Sequence, residues 1–307
     1  MGGGGGIFSS RRSPEFVAEK IRKMSEVRAA EFEAELADAF AGLLTKFNVR
    51  NSAEVQHRLE EIREALNDEL EQTFDTLFGG SVAKHTYVDG ISDVDSLLVL
   101  KGNLSESAPD TVLLRVSSAL QRQLGASAKI EIGSIAITVT YADGEQIQLV
   151  PAIRKGEKLA VPSWGDNSWS TIDPQQFKEG LTKRNEECGG KLIPTLKLAK
   201  AVNATLPEQV RLSGYHIESM GVSAFRNYEG ERTTVKMLPH FFERASELVL
   251  SPMKDRTGQS VHVDENLGEA NSPQRQALSH MLQRIYQRMH NASGAKSRDR
   301  WLDLFGQ

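Results

Sequence analysis

The spacing of apolar residues changes twice along this 307-residue chain, and these changes constrain its fold more than any other feature. Residues 14–47 show helical spacing that predicts one or two amphipathic helices, and a further helix is predicted over 52–71. Short apolar runs and alternating segments then predict strands within residues 74–160. From Asp173 onward the spacing is again helical. The sequence therefore predicts an α+β fold, with a mixed sheet and flanking helices followed by a helical lobe.

Three segments follow from this pattern. Residues 1–13 begin with a glycine run that has nothing to bury, so we expect a flexible tail. Residues 14–165 are expected to hold the N-terminal helices and the sheet lobe, and residues 166–307 the helical lobe. A mass of 33.9 kDa fits two packed lobes.

The individual elements can be predicted from their local patterns. We expect a short strand over 74–78, a buried strand over 93–100 and alternating strands over 130–141 and 146–153. Asp143 and Gly144 suit the hairpin turn between the last two strands. Pro239 and Pro273 each fit a first helical turn. Helices are predicted over 113–124, 174–181, 192–203, 214–225, 238–249 and 274–290.

The charge balance and the cysteine content exclude several classes of protein. The formal net charge is −4, from 37 basic and 41 acidic side chains, so any phosphate-binding site must be local. The single cysteine, Cys188, excludes an intramolecular disulfide and fits a reducing compartment. No apolar run approaches the roughly 20 residues of a membrane span, and Met1–Gly6 lacks the apolar core of a signal peptide. We expect a cytoplasmic protein without a membrane partner.

The most informative segment is Gly79–Leu100, GGSVAKHTYVDGISDVDSLLVL, in which a Gly-Ser turn precedes an Asp-x-Asp pair. Residues two apart on a strand project from the same face, so Asp93 and Asp95 are expected to present two carboxylates side by side. Mg²⁺, or Mn²⁺ in its place, binds a few carboxylates and completes its shell with water and substrate phosphates. The pair therefore predicts a divalent-cation site that acts on a nucleoside triphosphate.

The turn before this pair has the properties of a phosphate-binding loop. Gly80 allows close backbone approach, and Ser81 offers a hydroxyl and an N–H at the start of a helical turn. Lys84 can add a point charge. Each motif alone has a plainer interpretation, because an isolated DxD is common in loops and GGS is commonly just a turn. Their combination in this order favours the functional interpretation.

The order of short strand, Gly-Ser turn and DxD resembles the signature of the polymerase-β nucleotidyltransferase superfamily. Further on, QLVPAI (148–153), KLIPTLKLAKAVN (191–203) and LSGYHIESM (212–220) are similar to motifs of cyclic GMP-AMP synthase, the bacterial cGAS/DncV-like nucleotidyltransferases and the 2′,5′-oligoadenylate synthases. The resemblance covers about residues 70–250. It implies a polymerase-β-like lobe, a helical lobe of the poly(A) polymerase/oligoadenylate synthase type, and membership of the bacterial branch that acts in antiphage CBASS defence.

The same resemblance implies roles for residues of the helical lobe. Lys200 and Ser213 would reach the donor triphosphate, and Tyr215 would stack on a nucleobase. The family often has Ser where this chain has Gly214. Without the resemblance, Lys197 and Lys200 lie three residues apart on a helix and equally suit a solvent-facing surface, and Tyr215 suits the core.

The third acidic position of the family is occupied here by Gln148. In a two-metal transfer, a carboxylate at this position helps to hold the metal nearest the acceptor hydroxyl and can take its proton. An amide oxygen can coordinate a metal, but it cannot act as a base. Three outcomes are open: Asp93 and Asp95 suffice with the substrate phosphates, a nearby acid supplies the charge, or the catalytic step is lost. The candidate acids are Glu131, Asp143 and Glu145.

Other site types are disfavoured. The seven histidines contain no HxH or HExxH pattern, so zinc is not expected. His216 is interpreted as structural although it lies inside a matched motif, and Trp301 is interpreted as a packing residue.

The sequence thus predicts a template-independent, Mg²⁺-dependent nucleotidyltransferase. It would join ATP, GTP or both into an oligonucleotide second messenger, cyclic in the preferred interpretation, and release pyrophosphate. An activating protein or nucleic acid and a downstream effector are implied partners. One alternative is a transferase that makes linear oligonucleotides or modifies an RNA end or a protein. Another is a catalytically inactive nucleotide-binding sensor, which Gln148 keeps open.

Overall fold

The computed structural model describes residues 14–48, 52–70, 74–79, 94–163, 166–207, 210–253 and 264–307. Within these ranges, helices flank a mixed sheet and further helices follow it in the chain. The predicted α+β fold is confirmed.

The helices of the described ranges begin and end at identifiable signals. Asp173 caps α4, since its carboxylate accepts a hydrogen bond from the backbone N–H of Gln176 at 2.9 Å. Ser272 caps α8 in the same way, and Pro273 is the first residue of that helix, as predicted. The helices are α1 (Pro14–Asn48), α2 (Ser52–Leu70), α3 (Pro109–Leu124), α4 (Pro174–Glu187), α5 (Leu192–Ala204), α6 (Gly214–Ala224), α7 (Thr234–Leu248), α8 (Pro273–Gly294) and α9 (Arg298–Leu302).

Seven strands of the described ranges form one mixed sheet. They are β1 (Phe74–Gly79), β2 (Val94–Leu100), β3 (Ala128–Ile132), β4 (Ile137–Tyr141), β5 (Gln146–Lys155), β6 (Lys158–Pro162) and β7 (Trp169–Ile172). The order is β1–β2–β5–β4–β3, while β6 pairs with β5 and β7 pairs with β6. Strands β2 and β5 are parallel, and the other neighbours are antiparallel. The long strand β5 therefore connects all parts of the sheet.

Two hydrophobic cores hold these elements together. The first lies between one face of the sheet and helices α2 and α3, where Leu120 and Leu149 are fully buried. The second lies among α1 and the helices from α4 to α9. In this second core Phe40 of α1 packs edge-to-face against Trp301, with ring centroids 5.5 Å apart. Trp301 is thus a packing residue, as expected.

Helix α1 is one continuous helix of 35 residues, about 52 Å long at 1.5 Å per residue. Residues 14–28 are exposed, whereas the second half of the helix is amphipathic and enters the second core. Its buried residues recur every three or four positions, as one helical face requires. They are Phe32, Leu36, Phe40, Leu43 and Phe47.

Two local expectations need correction. The alternating stretch 130–141 forms two strands, because Gly133 and Ala136 close a turn through a backbone hydrogen bond of 2.8 Å. Pro239 lies inside α7 and not in its first turn, because the helix begins earlier, with Thr233 as its cap. Strands β6 and β7 were not anticipated. The hairpin turn at Asp143–Gly144 is present, and Gly144 has a φ of +88° that suits glycine.

Candidate active site

The sheet aligns two of the candidate residues. Strands β2 and β5 are parallel neighbours, and the Cα of Asp95 is the register partner of the Cα of Gln148. Neighbouring strands are about 4.8 Å apart. The register therefore places Gln148 beside the second position of the DxD motif, where the resemblance puts a third carboxylate.

The side chain of Gln148 lies on the face of the sheet opposite the first core. Along β5, Ile147 and Leu149 are fully buried against α2 and α3, whereas Gln148 between them is half-buried. Within the described ranges its amide forms no hydrogen bond. Gln148 can therefore offer its amide oxygen at this face.

The same row of the sheet continues to one of the candidate acids. Gln148 is the register partner of Thr138 on β4, which in turn partners Glu131 on β3. Glu131 thus lies two strands away from Gln148, about 10 Å at the Cα atoms. Its exposed carboxylate pairs with Lys129 at 2.8 Å.

The other two candidate acids are held by an arginine. Arg58 of α2 donates to Asp143 Oδ2 at 2.7 Å and also to Glu145, and its guanidinium carbon lies 4.3 Å from the centroid of the Tyr141 ring. The hydrogen bond from Arg58 holds the pKa of the Asp143 carboxyl below its usual value. Asp143 and Glu145 therefore stabilise the β4–β5 hairpin against α2.

In the helical lobe, Lys200 is buried and paired. It lies on α5 with 3% of its surface exposed, and its Nζ donates to Glu218 Oε1 on α6 at 2.9 Å. A Cβ atom added at Gly214, the first residue of α6, would lie 3.3 Å from the same Nζ. The ammonium group therefore lies under the first turn of α6 and not on a solvent-facing surface.

Ser213 and Tyr215 flank that first turn. The Ser213 hydroxyl accepts a hydrogen bond from the backbone N–H of His216 at 3.1 Å, so Ser213 is the N-cap of α6, and it is exposed. The half-buried Tyr215 ring lies 4.8 Å from the ring of Phe177 on α4, tilted by 53°. An exposed helix N-terminus beside a lysine and an aromatic ring suits a nucleotide phosphate and its base.

His216 is structural, as expected. Its imidazole is buried, with Nε2 3.6 Å from Asp264 Oδ2, and Asp264 accepts a 2.6 Å hydrogen bond from the fully buried Arg275. Burial lowers the pKa of His216 to about 4, while the Asp264 charge acts in the opposite direction. Neutral His216 therefore packs between α6 and the segment before α8.

Sequence reasoning missed Glu218. The residue lies in the motif LSGYHIESM, one helical turn after Gly214, and therefore on the same side of α6. That spacing could have indicated it. Its pairing with Lys200, 18 positions earlier, could not be inferred before the packing of α5 against α6 was known.

Several predicted site residues are outside the described part of the chain. They are Gly80, Ser81, Lys84 and Asp93, together with the side chain of Asp95. Within the described ranges no group of three acidic, histidine or cysteine side chains could hold a metal ion. No helix there has both the length and the hydropathy of a membrane span. Cys188 is buried, and burial raises the pKa of its thiol.

Comparison with known proteins adds to this geometry. Residues 35–185 match the model of the Second Messenger Oligonucleotide or Dinucleotide Synthetase (SMODS) domain. Residues 35–185 therefore form a domain of the SMODS type. No curated protein matches its sequence significantly.

Solved structures of cGAS/DncV-like nucleotidyltransferases have the same fold. CdnG of Bradyrhizobium diazoefficiens, in complex with GTP, has a TM-score of 0.68 at 15% identity over 88% of this chain and 95% of that one. CdnC of Escherichia coli MS115-1, solved with ATP, gives 0.66 at 15% identity over 89% and 97%. The Vibrio cholerae cyclic AMP-GMP synthase DncV, with a nonhydrolyzable GTP, gives 0.58 at 13% identity over 95% and 89%.

Proposed function

We propose that this cGAS/DncV-like protein joins ribonucleoside triphosphates into an oligonucleotide second messenger. The observation that carries the proposal is the register of Asp95 and Gln148 on the parallel strands β2 and β5, which aligns the second aspartate of the DxD motif with the residue at the third family position. The SMODS match over residues 35–185 supports the same assignment. ATP and GTP are the proposed substrates, since relatives of the same fold were solved with them.

In the proposed reaction, residues of both lobes contact the nucleotides. The acceptor hydroxyl forms a new bond to the α-phosphorus of the donor, the bond between the α-phosphorus and its bridging oxygen breaks, and pyrophosphate leaves. Lys200 and the exposed N-terminus of α6 neutralise the donor phosphates from the helical lobe. Tyr215 stacks on a base. If each nucleotide serves once as donor and once as acceptor, the product is cyclic.

The candidate metal ligands suit Mg²⁺ in part. Asp93, Asp95 and the Gln148 amide would supply hard oxygen ligands, which Mg²⁺ prefers. Bound there, the ion would lower the pKa of the acceptor hydroxyl and neutralise the leaving pyrophosphate. Gln148 cannot take the proton, so in this proposal the hydroxyl proton passes to solvent or to the DxD carboxylates.

The test is product formation from labelled nucleotides. The purified protein would be incubated with Mg²⁺ and each radiolabelled triphosphate, singly and mixed, and then treated with phosphatase. We expect a phosphatase-resistant product that is absent from the Asp93→Asn/Asp95→Asn variant. Equal nucleotide consumption by this variant and the wild-type protein would contradict the proposal.

A catalytically inactive nucleotide sensor is the second candidate, because Gln148 provides no base. It would bind a triphosphate in the presence of Mg²⁺ without releasing pyrophosphate. Pyrophosphate release would then be measured with candidate activators, RNA or protein, added. Release that begins only with an activator would indicate an enzyme that requires activation and not a sensor. An antiphage role and a cytoplasmic location are part of the proposed nucleotidyltransferase function.

A further inference from the structure

Lys200 and Glu218 form a buried ion pair beside the first turn of α6. Lys200 is 3% exposed, Glu218 is 1% exposed, and their atoms are 2.9 Å apart. A buried ion pair is weak evidence for a stabilising role, because well-packed apolar residues of similar volume are commonly as stable or more so. The presence of the pair therefore calls for another explanation.

The position of the ammonium group suggests one. Gly214 and Glu218 lie one turn apart on the same side of α6, and Lys200 Nζ lies close to both. A lysine side chain is a long flexible stem with a compact charge. The Glu218 carboxylate therefore holds that charge beside Gly214, the first residue of α6 after the cap Ser213.

We infer that Glu218 is a positioning residue that holds the Lys200 ammonium under the N-terminus of α6, where the donor phosphates bind. This inference rests on the proposed function. Glu218 acts through Lys200 and does not touch the nucleotide. With its carboxylate in place, the ammonium and the helix N-terminus form one pre-organised anion site, so little ordering is required when a triphosphate arrives.

The experiment is a double-mutant cycle with two measurements. Glu218→Gln, Lys200→Met and the double variant would be compared with the wild-type full chain for the Kd of a nonhydrolysable ATP or GTP analogue with Mg²⁺, and for Tm. Glu218→Gln removes the charge but keeps the shape, so we expect a Kd roughly tenfold higher. In the Lys200→Met background the same change should alter Kd by less than about twofold, while it should recover part of the Tm that Lys200→Met alone loses.

Asp264→Asn is the matched control, because Asp264 is also a buried carboxylate of the helical lobe that pairs with a cation, Arg275. It should lower Tm without changing Kd. If Glu218→Gln does not fold, Glu218→Asp is the alternative variant. It keeps the negative charge on a side chain that is one methylene shorter, so the carboxylate lies farther from Lys200 and Kd should again rise.

The outcomes separate the two proposals. Binding by the wild-type protein with an unchanged Kd for Glu218→Gln, or an equal loss in both Lys200 backgrounds, would overturn the positioning role alone. Failure of the wild-type protein to bind either analogue would overturn the proposed function and, with it, this inference.

Discussion

At the scale of single residues, Gln148 leaves the candidate site with one negative charge fewer than a triad of carboxylates. It is the register partner of Asp95, and within the described ranges its half-buried amide forms no hydrogen bond. A carboxylate binds Mg²⁺ more strongly than a neutral amide and can accept a proton. We predict that Gln148→Asp lowers the Mg²⁺ concentration for half-maximal product formation severalfold. A titration of initial rate against Mg²⁺ measures this, with Thr138→Ser as the control on the neighbouring strand; an unchanged midpoint would contradict it.

His216 gives a prediction about pH. Burial lowers its pKa to about 4, whereas an unfolded histidine titrates near 6.5. The unfolded state therefore binds more protons between these values, so the free energy of unfolding should fall as the pH drops from about 6.5 to about 4, by up to about 3 kcal/mol. Asp264 and Arg275 face the imidazole and act in opposite directions.

Urea unfolding at several pH values, for the wild-type protein and His216→Gln, measures the contribution of this histidine. The wild-type protein should lose more stability than the variant across that window. An NMR titration that finds His216 protonating near pH 6.5 would argue against the prediction.

The individual residues differ in how far the sequence could predict them. Lys200, Ser213 and Tyr215 were located by the family motif, and the burial of Lys200 removes the surface interpretation that its spacing also allowed. The partners of these residues could not be predicted. Glu218 and Phe177 each lie on a different helix from the residue that they contact, so these contacts depend on how α4, α5 and α6 pack.

At the scale of elements, α5 and α6 approach each other closely at Gly221. A Cβ atom added there would lie 2.4 Å from Cδ2 of Leu196, which is fully buried. Gly221→Ala should therefore lower the free energy of unfolding by about 1–3 kcal/mol, although alanine favours a helix more than glycine does.

Gly180 on α4 is the matched control for this change. A Cβ atom at Gly180 would meet nothing within 4 Å, so Gly180→Ala should raise the free energy of unfolding by up to about 1 kcal/mol. Denaturant unfolding of both variants provides the measurement. A Gly221→Ala protein as stable as Gly180→Ala would show that Leu196 can move aside without loss.

The elements themselves were largely predictable where the apolar period was strong. Strands β2 and β5 and helices α5 and α6 agree with their patterns within a few residues. The stretch 130–141 did not, because alternation continues across a two-strand hairpin whose turn begins at Gly133. Strands β6 and β7 have only five and four residues, too few for a clear alternation, so the pairing of β6 with β5 and of β7 with β6 is decided by the sheet and not by local preference.

At the scale of the whole molecule, the described residues form two hydrophobic clusters that share no side chain. Leu120 lies in the cluster of the sheet, and Phe241 in the cluster of the helical lobe, both almost fully buried. Separate cores can unfold separately. Calorimetry should therefore show two unfolding transitions. Leu120→Ala should lower the free energy of unfolding of the sheet core alone, and Phe241→Ala that of the helical core alone, each by about 2–5 kcal/mol.

Nucleotide should couple these transitions if the proposed site uses both lobes. A ligand that contacts the DxD region and Lys200 together binds only when both cores are folded, so it stabilises them jointly. A nonhydrolysable triphosphate with Mg²⁺ should raise both transitions and reduce their separation, whereas Lys200→Met should weaken the effect on the helical lobe. If either alanine variant shifts both transitions equally without nucleotide, the molecule unfolds as one unit and its two cores are not independent.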